Sequence, residues 1–226
     1  MSLWSRISDA LAALANGEGL SAVFDKLRTP PERTVGFTIA VIALSAKMAK
    51  ADGHVTRAEV MAFREVFHIP ARDEDNAARV FNLARQDVAG FEHYAAQIKS
   101  MFRQDSKTLE DLLEGLFHVA TADGHYHENE DAFLRRVADT FGIGERCFRV
   151  MRSRFVKDAP CDPYDVLGVD PDMSFDDIRA AWRQLVRETH PDSMMARGVP
   201  EEAIKLAQSR MVAINQAWDD INRARA

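Results

Sequence analysis

Residues 174–192 read SFDDIRAAWRQLVRETHPD, and nearly every position in that stretch has a local physical reason. Ser174 is placed to cap a helix, since its hydroxyl can accept a hydrogen bond from an amide of the first turn. Asp176 and Asp177 then put negative charge at the positive end of the helix dipole. Ile178, Ala181, Trp182 and Leu185 recur at steps of three and four and form an apolar stripe. Arg179, Arg183 and Arg187 recur at steps of four on a different face, centred about 150° away at about 100° per residue, so they are expected to face solvent. The spacing predicts a helix over 175–189. It ends at His190-Pro191-Asp192, where proline removes a backbone donor and clashes with the preceding turn.

Downstream, a loop containing Gly198-Val199-Pro200 leads to Ile204, Ala207, Met211, Ile214, Trp218 and Ile221, again at three-four spacing. This second helix is expected to lay its stripe against the first, giving an antiparallel hairpin with His190-Pro191-Asp192 at its tip. Upstream, residues 163–169 read PYDVLGV, a brief apolar turn. Pro160 and Pro163 interrupt helical continuation and mark a domain boundary around 157–163.

The rest of the chain is also helical in pattern. Trp4, Ile7, Leu11 and Leu14 make one face of a first helix, expected to pack against the protein body, because a membrane-surface helix would carry more cations than Arg6 alone. Thr29-Pro30-Pro31-Glu32 is a helix start, with Thr as cap and Glu completing a capping box. The uncharged run 34–46 that follows is too short to span a bilayer and reads as a buried central helix. Leu109, Leu112, Leu113, Leu116, Phe117 and Ala120 repeat at helical spacing, as do Phe133, Leu134, Val137 and Phe141.

A short motif occurs twice. Ala51-Asp52-Gly53-His54 recurs as Ala122-Asp123-Gly124-His125, with Glu59 or Glu130 seven positions after the aspartate. The glycines can take the left-handed conformation that ends a helix, and Thr56-Arg57-Ala58-Glu59 is a capping box opening the next. The glycine-to-glutamate spacing fits a calcium loop, but its first and third ligands would be Met48 and Lys50, or Val119 and Thr121, which lack the oxygens. A different metal arrangement through Asp52 and Glu59, or through Asp123, His125, His127 and Glu130, competes with the simpler account of a capped helical hairpin made twice.

Composition sets the outer bounds. The chain has 226 residues, 46% of them hydrophobic, enough for a core and one or two domains. Gly 11 and Pro 8 together fall below the roughly 12% average, which favours long helices over an all-β sandwich. A net charge of −6 argues against general nucleic-acid binding. Cys147 and Cys161 make no disulfide framework and suit a reducing compartment, so a cytoplasmic location is expected. Asp9 and Glu18 interrupt any export-signal region near the N-terminus. No phosphate loop, serine elbow or cysteine-based zinc site is present; no enzymatic activity, cofactor or metal is expected.

The duplicated Ala-Asp-Gly pattern in a helical segment from Thr29 to Arg154 resembles the TerB-like domains. The segment from Asp162 to Ile221 resembles a DnaJ-type J domain in four features: the 163–169 turn, the arginine-bearing helix, His190-Pro191-Asp192, and Ile214-Asn215-Gln216-Ala217-Trp218. A TerB-like region before a C-terminal J domain, with the residues of 191–200, resembles the DjlA subgroup. That resemblance implies an all-α fold, a TerB-like helical bundle plus a J domain, divided as an N-terminal segment 1–28, a bundle 29–157 and a J domain 158–226. It also implies a co-chaperone that docks on a DnaK-type chaperone and stimulates ATP hydrolysis, through His190, Pro191 and Asp192 with Arg179, Arg183 and Arg187 facing an acidic patch of the partner. The bundle would direct clients, location or stress sensing. The competing reading is a metal-linked stress-response adaptor whose J-like hairpin is only a contact surface.

The pattern departs from that family in places. Ser193 follows the triplet where many J domains have lysine, and Trp182 and Trp218 stand where tyrosine is frequent. DjlA proteins carry an N-terminal membrane anchor, but Met1 to Leu27 is broken by charges and glycines, so no transmembrane anchor is carried over.

Overall fold

A helix that is apolar on every side has no face to offer water, and the uncharged run accordingly lies at the centre of the molecule. The computed structural model describes residues 32–52, 74–86, 90–102, 105–156, 161–197 and 204–225, with positions 7, 61 and 199. Helix α1 (Glu32–Asp52) is buried at every position from 35 to 48. It packs against α2 (Glu74–Gln86), α3 (Phe91–Met101), α4 (Ser106–Ala120) and α5 (Glu128–Phe141). Even Lys47 is buried, its ammonium 4.7 Å from the centre of the Tyr94 ring, where the aromatic face offsets part of the lost hydration. Ile7 joins this core. The cap at Thr29-Pro30-Pro31, the other first-helix positions and the first Ala-Asp-Gly copy from Gly53 to Glu59 lie outside the described residues.

Helix α4 starts on Asp105, whose Oδ1 accepts the Thr108 amide at 3.1 Å, and it buries Leu109, Leu112, Leu113, Leu116, Phe117 and Ala120 as their spacing requires. Phe117 meets Phe148 and Phe155 of α6 (Glu145–Phe155) at centroid distances of 5.3 and 5.7 Å. The second Ala-Asp-Gly copy joins α4 to α5, but its glycine does not end α4 as expected. Ala120 ends the helix, and Gly124 (φ +85°) forms the turn after it, donating to the Thr121 carbonyl at 3.1 Å. Asp123 accepts the His125 amide at 2.9 Å, and the buried Glu130 accepts the His127 amide at 2.8 Å. Both carboxylates thus satisfy orphan donors around a helix start.

The second half has its own small core of Leu167, Val169, Ile178, Ile214, Ala217 and Ile221. The turn at 163–169 is a short helix, α7 (Pro163–Leu167), because Asp162 caps the Tyr164 amide at 2.8 Å and Pro163 needs no partner at the first position. Helix α8 (Phe175–Thr189) has the predicted bounds, with Ser174 accepting the Asp177 amide at 3.2 Å. Pro191 both stops α8 and opens another short helix, α9 (Pro191–Ala196), where the spacing suggested only loop. Helix α10 (Lys205–Ala224) returns along α8 and α7. Trp182 and Trp218 stack at 4.9 Å, half-buried beside this core, and the Trp182 indole donates to Asn215 at 3.1 Å. The stripe of α10 is rotated from the expected one: Met211 is half-buried, while Arg210 is buried.

Besides its own core, the second half contributes to that of the first. Met194, Val199, Ile204 and Ala207, from the segment between α8 and the body of α10, belong to the bundle's hydrophobic cluster. Among the described residues there is no strand, and no helix long and apolar enough to cross a membrane.

Candidate functional site

The turn from α8 into α9 is built from the orphan carbonyls of a helix end. The Arg187 carbonyl accepts the His190 amide at 3.3 Å and the Ser193 hydroxyl at 2.8 Å. The Arg197 guanidinium donates to the Glu188 carbonyl at 3.0 Å. His190 Nδ1 accepts the Asp192 amide at 3.2 Å, which makes His190 the N-cap of α9 and leaves Nε2 as the donor of the neutral ring, pointing its hydrogen-bonding capacity away from the turn. The Asp192 carboxylate is 82% exposed and the His190 side chain 57%, with 3.6 Å between Nδ1 and Oδ2. Pro191 is exposed beside them.

Arg179, Arg183 and Arg187 are all exposed on the outer face of α8, and among the described residues none of their guanidinium groups makes an ion pair or hydrogen bond. The triplet and the three arginines are thus all exposed, on α8 and on the turn that ends it. The opposite side of α8 is closed: Thr189 is buried, and Glu188 lies 3.5 Å from Lys107 of α4.

Near that inner side lies a set of charged residues that helical periodicity did not single out. Asp111 and Glu114, one turn apart on α4, are buried to 3% and 1% exposure. Arg210 of α10 donates through Nε to Glu114 at 2.8 Å and through Nη2 to the same carboxylate, and its Nη1 lies 2.8 Å from Asp111 Oδ1. Arg197 reaches Asp111 Oδ2 at 2.9 Å, and Arg154 of α6 reaches Glu114 Oε1 at 3.3 Å. The last contact and that of Arg210 Nη1 are ion pairs without hydrogen-bond alignment. Burial opposes charge on Arg210, but the facing carboxylates outweigh it and hold its pKa above the ordinary arginine value. Arg154 is shifted the other way, because burial and the neighbouring Arg210 outweigh Glu114. The signal available in the sequence was the four-residue pattern Asp111-Leu112-Leu113-Glu114, two carboxylates inside an apolar run.

A second tie joins α6 to the start of the downstream half. Arg146 donates to the Tyr164 carbonyl at 2.8 Å and to that of Val169, and its Nε lies 2.7 Å from Asp165. Between the two ties is a cleft of about 370 Å³ whose wall includes Cys147, Glu110, Leu185 and Arg154. Burial and the nearby Glu110 push the Cys147 thiol up to about 11, so it is protonated at neutral pH.

Residues 38–153 match the tellurite resistance protein TerB family, and residues 162–225 match the DnaJ domain. The chain belongs to the TerB family and carries a DnaJ domain behind the TerB region. In that order of domains it is a DjlA-like member of the DnaJ family. It is 27% identical to the co-chaperone protein DjlA of Photobacterium profundum over 85% of this chain and 79% of the relative. It is 25% identical to DjlA of Escherichia coli K12, over 99% and 98%, and 24% identical to that of Vibrio cholerae, over 90% and 83%. No solved structure matches the chain significantly. Among the described residues, no group of three or more His, Cys, Asp or Glu side chains is arranged to hold a metal ion.

Proposed function

We propose that this protein is a co-chaperone acting in the cytoplasm: its J domain docks on a DnaK-type chaperone and stimulates that partner's ATP hydrolysis, and the TerB-like bundle directs clients, location or stress sensing. The observation that carries the reading is the exposure of His190, Pro191 and Asp192 at the end of the helix whose Arg179, Arg183 and Arg187 are also exposed. An exposed carboxylate at a proline-set turn suits a charge-assisted hydrogen bond to an arginine of the partner. Three unpaired guanidinium groups on the adjoining helix face suit an acidic patch, where they speed and orient encounter more than they add raw affinity. The relatives named co-chaperone protein DjlA align over both halves of the chain.

The test is single-turnover ATP hydrolysis by the DnaK of the same cell, with and without this protein. Wild type is expected to accelerate it. His190→Gln, which alters an exposed side chain at the turn, is expected to fold normally and lose the acceleration. Equal stimulation by the two proteins would remove the assignment.

A further inference from the structure

We propose that Arg197 is a positioning residue, through which the TerB-like bundle holds the His190-Pro191-Asp192 turn in the shape its partner binds. The inference rests on the docking role proposed above and adds a part for the bundle within it.

The six residues of α9 cannot hold a helix by themselves, because nucleating a helical turn fixes several torsions for very few hydrogen bonds. Their order comes from neighbours on two sides. Toward α8, the Ser193 hydroxyl and the Arg197 guanidinium occupy the free carbonyls of Arg187 and Glu188 at 2.8 and 3.0 Å. Toward the bundle, Met194 and Val199 are buried in its core, and Val199 donates back to the Met194 carbonyl at 3.1 Å. Among the described residues of this segment, Arg197 is the side chain with polar contacts to both, since its second amino group is 2.9 Å from Asp111 of α4. Its guanidinium is planar and its two donors are fixed relative to each other, so Asp111 and the end of α8 are set at one distance. The Arg197 backbone amide is engaged as well, donating to the Ser193 and Met194 carbonyls at 3.3 and 3.1 Å. The bundle thus grips α9 from behind while His190 and Asp192 stay exposed in front.

A turn already in its binding shape spares its partner the cost of ordering it. Where that shape is populated only in part, apparent affinity falls by the populated fraction and the maximal effect at saturation does not.

The experiment uses the full-length chain with Arg197→Met, which keeps much of the aliphatic stem and removes both polar contacts. Two quantities are read: the concentration giving half-maximal stimulation of DnaK ATP hydrolysis, and hydrogen exchange of the amides at 192–197. The half-maximal concentration is expected to rise about tenfold with the maximal rate retained, as for a competent fraction of about one tenth. Exchange at 192–197 is expected to quicken while that of α4 and α8 stays as in wild type. Arg197→Lys keeps a cation against Asp111 but cannot span both acceptors; it is expected to fall between the two and serves where the methionine variant does not fold. A folded variant with wild-type half-maximal concentration and wild-type exchange overturns the inference alone. A wild-type chain that gives no stimulation at all overturns the docking role beneath it.

Discussion

Arg210 and Glu114, 96 residues apart in sequence, face each other in the interior, with Arg210 Nε donating to Glu114 Oε2 at 2.8 Å. One lies in the DnaJ domain and the other in the TerB region, so the join between the domains is an ionic contact closed off from water. Two charges taken out of water gain from each other only when both are present.

Removing one of them is therefore expected to cost far more than a surface mutation. Glu114→Ala strands Arg210 and Arg154 without their shared carboxylate and is expected to destabilise the protein by about 3–5 kcal/mol. The joint replacement of Arg210 by Met and Glu114 by Leu is expected to cost much less than Glu114→Ala. Urea unfolding followed by tryptophan fluorescence, to which Trp182 and Trp218 of the DnaJ domain and Trp4 contribute, checks both.

Asp131 supplies an acid-sensitive element of the bundle. Burial favours its neutral form, but this is outweighed by hydrogen bonds from Arg135 at 2.7 Å, Tyr126 at 3.1 Å and Arg152 at 3.0 Å, which hold its pKa below the usual carboxylate value. A depressed native pKa gives stability that is present above the unfolded value, about 3.9, and is lost as pH falls through the native one. Asp131→Asn is expected to cost about 1–3 kcal/mol at neutral pH and to flatten the loss of stability below about pH 4. Chemical unfolding from pH 7 down to pH 3 measures this.

Cys147 is expected to be chemically quiet. With its pKa raised to about 11, its thiolate fraction at pH 7.5 is well under a thousandth, and the thiolate is the nucleophile. Mass spectrometry of natively alkylated protein is expected to find Cys147 unmodified until denaturant is added. Rapid native labelling at that position would contradict the packing of the cleft.

The proposed docking face makes an ionic-strength prediction. Arg183→Glu reverses a charge in the middle of the exposed row on α8 and is expected to raise the half-maximal concentration for DnaK stimulation about tenfold, mainly through slower association. The difference from wild type is expected to shrink as salt is added. A variant that matches wild type at low salt would take the arginine row out of the interface.

Much of this was legible in the linear chain because it is governed by neighbours within one or two helical turns. The capping hydroxyl of Ser174, the apolar stripe of α8, the arginines opposite it and the proline that ends it all act over four residues or fewer, and α8 has the bounds those signals set. The uncharged run of α1 announced its burial in the same way. The short helices α7 and α9 look like turn and loop in the sequence, because their order is borrowed from contacts beyond their own few residues.

What tertiary structure alone decided is the meaning of the charges. On a helix, an isolated Arg210 or Glu114 reads as a solvated side chain, and the apolar spacing of α10 gave Met211 the buried place that Arg210 holds. No local period encodes which carboxylate will stand opposite, since a pair 96 residues apart exists only once two helices from different domains have met. Burial of these charges is tolerable only in company, so their partners had to be found in space before their role could be seen.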